Sequence, residues 1–137
     1  MPRSTLAKRS STTFDKSLEL RNHQLAALAA STTETGIAFP CGQQDEYIAV
    51  CFAQNYTSYT LDVNEWQIII EVSTTASGTY RQVGIAKLPP NSEVQVPLSG
   101  IYVESNLAAA QFIRARAVRV GAPGNLTYGA YIATEAC

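Results

Sequence analysis

The chain is short of the side chains from which reactive centres are built. Its 137 residues contain one histidine, His23, and three cysteines, Cys41, Cys51 and Cys137, none in a CxxC or other metal-ligand spacing. A Ser/His/Asp or Cys/His relay would have to form around His23 alone, and no glycine-rich loop is present to cradle a phosphate. Glu65, Glu71, Glu93 and Glu104 are the carboxylates that could pair for glycoside hydrolysis, but nothing in the sequence sets any two of them across a cleft. The expectation is no enzyme: no catalytic residue, no cofactor and no metal. The odd, irregularly spaced cysteines do not make a disulfide framework. Cys51 lies in an apolar run as a small hydrophobe, while a bridge between Cys41 and Cys137 stays open.

Charge and long apolar runs are scarce as well. Asp, Glu, Lys and Arg make up 15% of the chain, against the ~25% usual in globular domains, while 46% of residues are apolar. Strands that pack on both faces, or that neighbouring molecules cover, suit such a composition, whereas a solitary monomer carries more surface charge to stay soluble. Self-assembly is expected. No apolar stretch approaches the ~20 residues that span a bilayer, and Met1 to Ser11 lacks the apolar heart of a signal peptide. Synthesis in a cytosol with no membrane partner is therefore expected, which makes the sequons at Asn55 and Asn125 fortuitous.

The charge that is present is unevenly placed. Arg3, Lys8, Arg9, Lys16 and Arg21 face only Asp15 and Glu19, so five cations against two acids leave +3; beyond Arg21, five cations against nine acids leave −4. The chain divides accordingly into a basic, hydroxyl-rich arm, residues 1–40, and a body, residues 41–137. Such asymmetry marks where a chain meets something else. Pro2 to Thr13 is too polar to offset the entropy of ordering by itself. From Phe14 to Ala30, Leu18, Leu25, Leu28 and the alanines read as a helix, capped by Thr13 or Asp15 and ended by Ser31-Thr32-Thr33. An extended arm that winds over a partner is the competing form. The cations would grip an acidic surface while the leucines dock in a groove, unless the segment packs on its own body. Few cations among hydroxyls, no interleaved aromatics and a pI of 5.8 argue against direct nucleic-acid binding.

From Tyr47 onward, short β-prone runs break at Gly, Pro, Asn and Ser, the pattern of an antiparallel sandwich. Strands are expected at Tyr47–Ala53, Tyr59–Val63, Trp66–Thr74, Tyr80–Lys87, Glu93–Leu98, Gln111–Val120 and Thr127–Thr134. In the third, Trp66, Ile68, Ile70 and Val72 share one face and Glu65, Gln67, Ile69 and Glu71 the other. Ser77-Gly78-Thr79 turns it into the fourth, Pro89-Pro90-Asn91 forces a turn, and Val120 to Asn125 reads as a second hairpin joining the last two strands. Arg114, Arg116 and Arg119 make the body's one basic run, sharing a face only if a bulge near Val118 shifts the parity. They are interface candidates, or else a solvated face paired with Glu71 or Glu65. Tyr56, Tyr59, Tyr80, Tyr102, Tyr128 and Tyr131 would suit a carbohydrate-binding module if they shared one surface.

An arm bearing Phe14-Asp15-Lys16-Ser17-Leu18 is followed by Trp66-Gln67-Ile68-Ile69-Ile70-Glu71-Val72-Ser73, which leads into Ser77-Gly78-Thr79-Tyr80. Val94-Gln95-Val96-Pro97-Leu98, Phe112-Ile113-Arg114-Ala115-Arg116 and Tyr128-Gly129-Ala130-Tyr131-Ile132-Ala133 come after. In this order the features resemble the small proteins that cement or decorate the heads of tailed bacteriophages. The resemblance implies an all-β, antiparallel jelly-roll-like sandwich on the capsid exterior of a virion, behind an N-terminal arm that is partly helical or extended. It implies a homotrimer bridging neighbouring copies of the major capsid protein, without catalytic residues. The interface would map onto Arg3, Lys8, Arg9, Lys16 and Arg21, with Leu18, Leu25 and Leu28 as apolar anchors. The alternative is a ligand-binding β-sandwich, for carbohydrate, displayed on a virion or fibre.

Overall fold

Alternating large apolar residues need a second sheet to bury them, and the chain supplies one. The computed structural model describes residues 18–38, 47–73, 75–98 and 112–134. Within them run β1 (Glu19–Arg21), β2 (Thr32–Thr33), β3 (Ile37–Ala38), β4 (Tyr47–Ala53), β5 (Glu65–Ser73), β6 (Arg81–Leu88), β7 (Glu93–Leu98), β8 (Phe112–Val120) and β9 (Tyr128–Thr134). All pair antiparallel, in one sheet of order β1-β9-β4-β7 and a second of order β2-β8-β5-β6 with β3 also on β8. Trp66, Ile68, Ile70 and Val72 of β5, with Ile113, Ala115 and Ala117 of β8, face Ala49 and Cys51 of β4, Leu98 of β7 and Tyr128 and Ile132 of β9. Burying each large apolar side chain contributes ~1.5–3 kcal/mol, which is what joins the sheets. The one indole N–H is satisfied inside: Trp66 Nε1 donates to the Gly124 carbonyl at 2.8 Å.

Counting β2 and β3 as one interrupted strand, the pairs nest: β5 with β6, β4 with β7, β2/β3 with β8, and β1 with β9. A long hairpin rolled so that successive pairs fall in opposite sheets is the order of a jelly roll. The fold is thus all-β and jelly-roll-like, as expected. The β5–β6 hairpin forms where Ser77-Gly78-Thr79 places it, and the alternating face of Trp66 to Val72 is the core face.

Several expectations give way to tertiary pairing. No α-helix occurs among the described residues; of the helix expected over Phe14–Ala30, residues 14–17 lie outside them, and from Glu19 the chain is strand and turn. Leu20 is buried in β1 and Leu18, just before it, packs partly against the core, so the sandwich takes this segment despite its helix propensity. The arm and body are consequently continuous from Leu18 onward, because β1 joins one sheet while β2 and β3 join the other. The strand expected at Tyr59–Val63 is a turn instead. Thr60 N donates to Asn64 O at 2.9 Å, and Asp62 takes φ 64°, a left-handed conformation that its short polar side chain tolerates.

Val120 to Asn125 is not a hairpin. β8 and β9 belong to opposite sheets, and the segment crosses between them, held by Leu28 and Leu126, whose backbones exchange hydrogen bonds of 2.8 and 3.0 Å. Gly121 has φ 70°, and a Cβ there would collide with the Val63 carbonyl oxygen, so this crossing needs glycine. β8 has no bulge: its register with β5 runs unbroken from Val120 to Phe112. Arg119 therefore keeps core-side parity, opposite Trp66, yet is exposed. The bulge lies in β6, where Val83 is the extra residue between Gly84 and Gln82.

Candidate functional site

On β8, parity turns Arg114 and Arg116 to the face away from the core, where β5 sets Glu71 opposite Arg114 and diagonal to Arg116. Arg114 Nε donates to Glu71 Oε1 at 2.8 Å and Arg116 Nε to Oε2 at 3.0 Å. One buried carboxylate thus serves two half-exposed guanidiniums, which leaves one positive charge in excess. Arg114 also lies over the Tyr80 ring, 3.8 Å from its centre. Arg119 stands apart: its Nη2 donates to the Pro123 carbonyl at 3.0 Å, and its backbone N–H to Ser31 Oγ at 2.9 Å. Of the expected carboxylate partners Glu71 pairs with arginine. Glu65 is buried, but it accepts from Gln67 and from the Asp62 N–H.

At the arm, Arg3, Lys8, Arg9 and Lys16 lie outside the described residues, as do Cys41, Cys137, Tyr102 and Glu104. Leu18 is half-buried against the core. Arg21, 7% exposed, is not a gripping residue. Its Nη1 donates to Glu34 Oε2 at 2.8 Å and its Nη2 to the Ala26 carbonyl at 2.8 Å, and the guanidinium sits 5.1 Å from the centre of the Tyr128 ring. Arg21 Nε is the one buried side-chain polar atom without a hydrogen-bond partner among the described residues. Leu28 is tied to Leu126, and Leu25 is 52% exposed. The leucines do not form one docking stripe.

A concavity opens on the face of the β1-β9-β4-β7 sheet turned away from the core. It holds about 380 Å³ and is lined by Glu19, Arg21, His23, Phe52, Glu93 and Tyr131. Asn22 shapes the turn after β1: its side-chain oxygen accepts from Gln24 N and its carbonyl from Leu25 N, and the turn sets His23 beside Phe52. The rings of His23 and Phe52 are 5.6 Å apart and inclined by 56°; those of Phe52 and Tyr131 are 6.4 Å apart and inclined by 63°. Gly129 makes room, since a Cβ on it would lie 2.5 Å from Phe52 Cζ. Burial pushes the Tyr131 hydroxyl above its ordinary pKa, and the Glu93 carboxylate pushes it further the same way. Beside the groove, Ile48, Val50 and Ala133 are buried on this outer face, so the sheet is dry on both sides here.

No family model matches the chain, and no curated protein is significantly similar to it. Among the described residues the tyrosines do not share one surface. Tyr56 donates from within the core to the Leu88 carbonyl at 2.7 Å, Tyr59 packs edge-on against it, Tyr80 lies under Arg114 and Tyr128 under Arg21. Only Tyr131 of the described tyrosines lines the groove. Nothing in the sequence marked the groove, whose lining comes from β1, the turn after it, β4, β7 and β9. Parity told the faces of each strand; no local signal told which rows would align. Among the described residues, no group of three or more His, Cys, Asp or Glu is placed to hold a metal ion.

Proposed function

We propose that the chain is a non-enzymatic structural protein of a phage virion, which binds the outside of the capsid and staples neighbouring major capsid subunits. The observation that supports this reading best is the anchorage behind the basic leader. The chain enters the sandwich through β1, with Leu20 in the core and Arg21 in a buried pair with Glu34. A pull on the leader is then borne by strand pairing with β9 and by an ion pair that is costly to break from one side. A strap needs such a fixed end.

Packaged DNA presses outward on a thin shell, and a clamp across a joint adds binding free energy that must be lost before the joint opens. The tether raises the local concentration of the second contact, so avidity replaces individual tightness. A homotrimer would present three leaders together and cover part of the low-charge sheet surface. Arg114 and Arg116, which share only Glu71, keep positive charge for an acidic neighbour. Removing residues 1–13 is expected to leave the sandwich folded and to lower affinity for purified capsids by about a hundred-fold, the low end of the gain from a tethered second contact. Unchanged affinity would count against the reading. A carbohydrate-binding module is the competing proposal, and reproducible glycan-array signal dependent on Tyr131 and Phe52 would favour it.

A further inference from the structure

We infer that the outer face of the β2-β8-β5-β6 sheet carries a docking site for an aspartate or glutamate side chain, which an extended segment of a partner protein presents beside an apolar residue and the guanidiniums of Arg114 and Arg116 hold. The inference deepens the stapling reading and rests on it only for the identity of the partner, a major capsid subunit.

Two adjacent cross-strand rows build the site. Arg114, Glu71 and Gln82 form one, and Arg116, Ile69 and Ile85 the next, each running over β8, β5 and β6. The arginines are two residues apart on one strand, so their Cα atoms stand about 7 Å apart. Both Nε atoms hold the same carboxylate, which brings the guanidiniums side by side. Among the described residues neither arginine has a hydrogen bond through its Nη atoms, and Glu71 is the one acid paired with either. Two positive charges against one negative leave a place for one more carboxylate, and the planar fork of a guanidinium matches that group. Arg114 is fixed before any ligand arrives. Tyr80 lies under it at 3.8 Å and donates its hydroxyl to the Ala76 carbonyl at 2.9 Å, and a Cβ on Gly36 would collide with that hydroxyl. A side chain held in advance loses less freedom on binding.

The second row selects the occupant. Ile85 is 46% exposed and stands across β5 from Arg116, with the buried Ile69 between them. An exposed isoleucine next to cations suits a protein segment with an acidic and an apolar side chain on one face, whereas a phosphate backbone gains nothing from it. Charge agrees. Beyond Arg21 the chain carries five cations against nine acids, too few for a phosphate-tracking surface, and Lys87, the other cation of β6 on this face, is paired with Asp62.

Heteronuclear NMR on the isotope-labelled full chain tests this, with the capped peptide Ser-Glu-Ser-Ile-Ser-Glu-Ser as the probe and its Glu-to-Lys counterpart, acetate and oligothymidylate as controls. The probe is expected to shift the amides of Ile69, Ile85, Arg114 and Arg116 saturably, and to do so more weakly in about 0.5 M salt. Arg116→Gln and Ile85→Ser are each expected to weaken it about three-fold while the rest of the spectrum stays native. Affinity unchanged in both variants, or the Lys peptide shifting the same amides as strongly, would overturn the proposal. So would acetate binding as tightly as the probe, or oligothymidylate moving these amides where the probe does not, since the arginines would then take a simple anion or a phosphate. Failure of the probe to bind, with attachment of the unaltered chain to heads intact, would overturn this site and leave the stapling reading in place.

Discussion

Glu71 illustrates how far one residue could be read in advance. Alternation along β5 put it on the face away from the core, and opposite-charge pairing across strands made Arg114 and Arg116 its natural partners. Arg119 was misplaced because an assumed bulge in β8 is not there; the actual one is at Val83, next to Gly84, a glycine inside a strand of the kind that accompanies bulges. Glu71→Gln should cost about 2 kcal/mol in urea denaturation, because two partly buried guanidiniums lose their counter-charge; a loss under a few tenths would mean that water already screens the trio. Cys51 gives the pH prediction. Burial pushes its thiol from 9.0 up to about 12, so between those values the unfolded chain sheds a proton that the folded chain keeps. Stability then falls as pH rises above about 9, by up to ~1.4 kcal/mol per unit for this group. Tyr56 and Tyr128, also raised by burial, add to the fall at higher pH. Cys51→Ala should flatten the alkaline limb of the denaturation midpoint against pH, and an identical slope would deny the assignment.

Elements were legible where they are long and one-sided. β4, β5, β6, β7, β8 and β9 begin and end within a residue or so of the positions that alternation and turn residues indicate. β1, β2 and β3 were not legible: two or three residues carry no period, and their alanine- and leucine-rich surroundings favour helix until the sandwich competes for Leu18 and Leu20. The crossover from β8 to β9 was read as a hairpin because Gly, Pro and Asn serve both equally, and only the second sheet decides. Two variants probe these joints. Arg21→Ala strands Glu34 beside the core and should cost about 3 kcal/mol, with hydrogen exchange quickening first at the β1–β9 amides; uniform quickening would show that β1 has no separate stability. Gly121→Ala places a side chain at φ 70° against a carbonyl and should cost about 2 kcal/mol, more than Gly78→Ala in the β5–β6 turn.

For the whole molecule, low charge, punctuated strands and the order of features led to a sandwich, and the nested pairs make it jelly-roll-like. Strand order itself was out of reach, since every strand can bury its apolar face against several others and only the global packing chooses. Nesting has a consequence for assembly: the outermost pair, β1–β9, which is the farthest apart in sequence, holds the base of the leader at a sheet edge, so under the stapling proposal load would enter the fold there. Light scattering on the purified chain is expected to give three times 14.8 kDa, and a monomer at micromolar concentration would remove the trimer from the account. The most direct test of stapling is the temperature at which DNA-filled heads rupture, compared with and without the bound chain at full occupancy. The account predicts a higher rupture temperature with the chain bound, falling back when Arg21→Ala loosens the anchor. Equal rupture temperatures at equal, complete occupancy would contradict it.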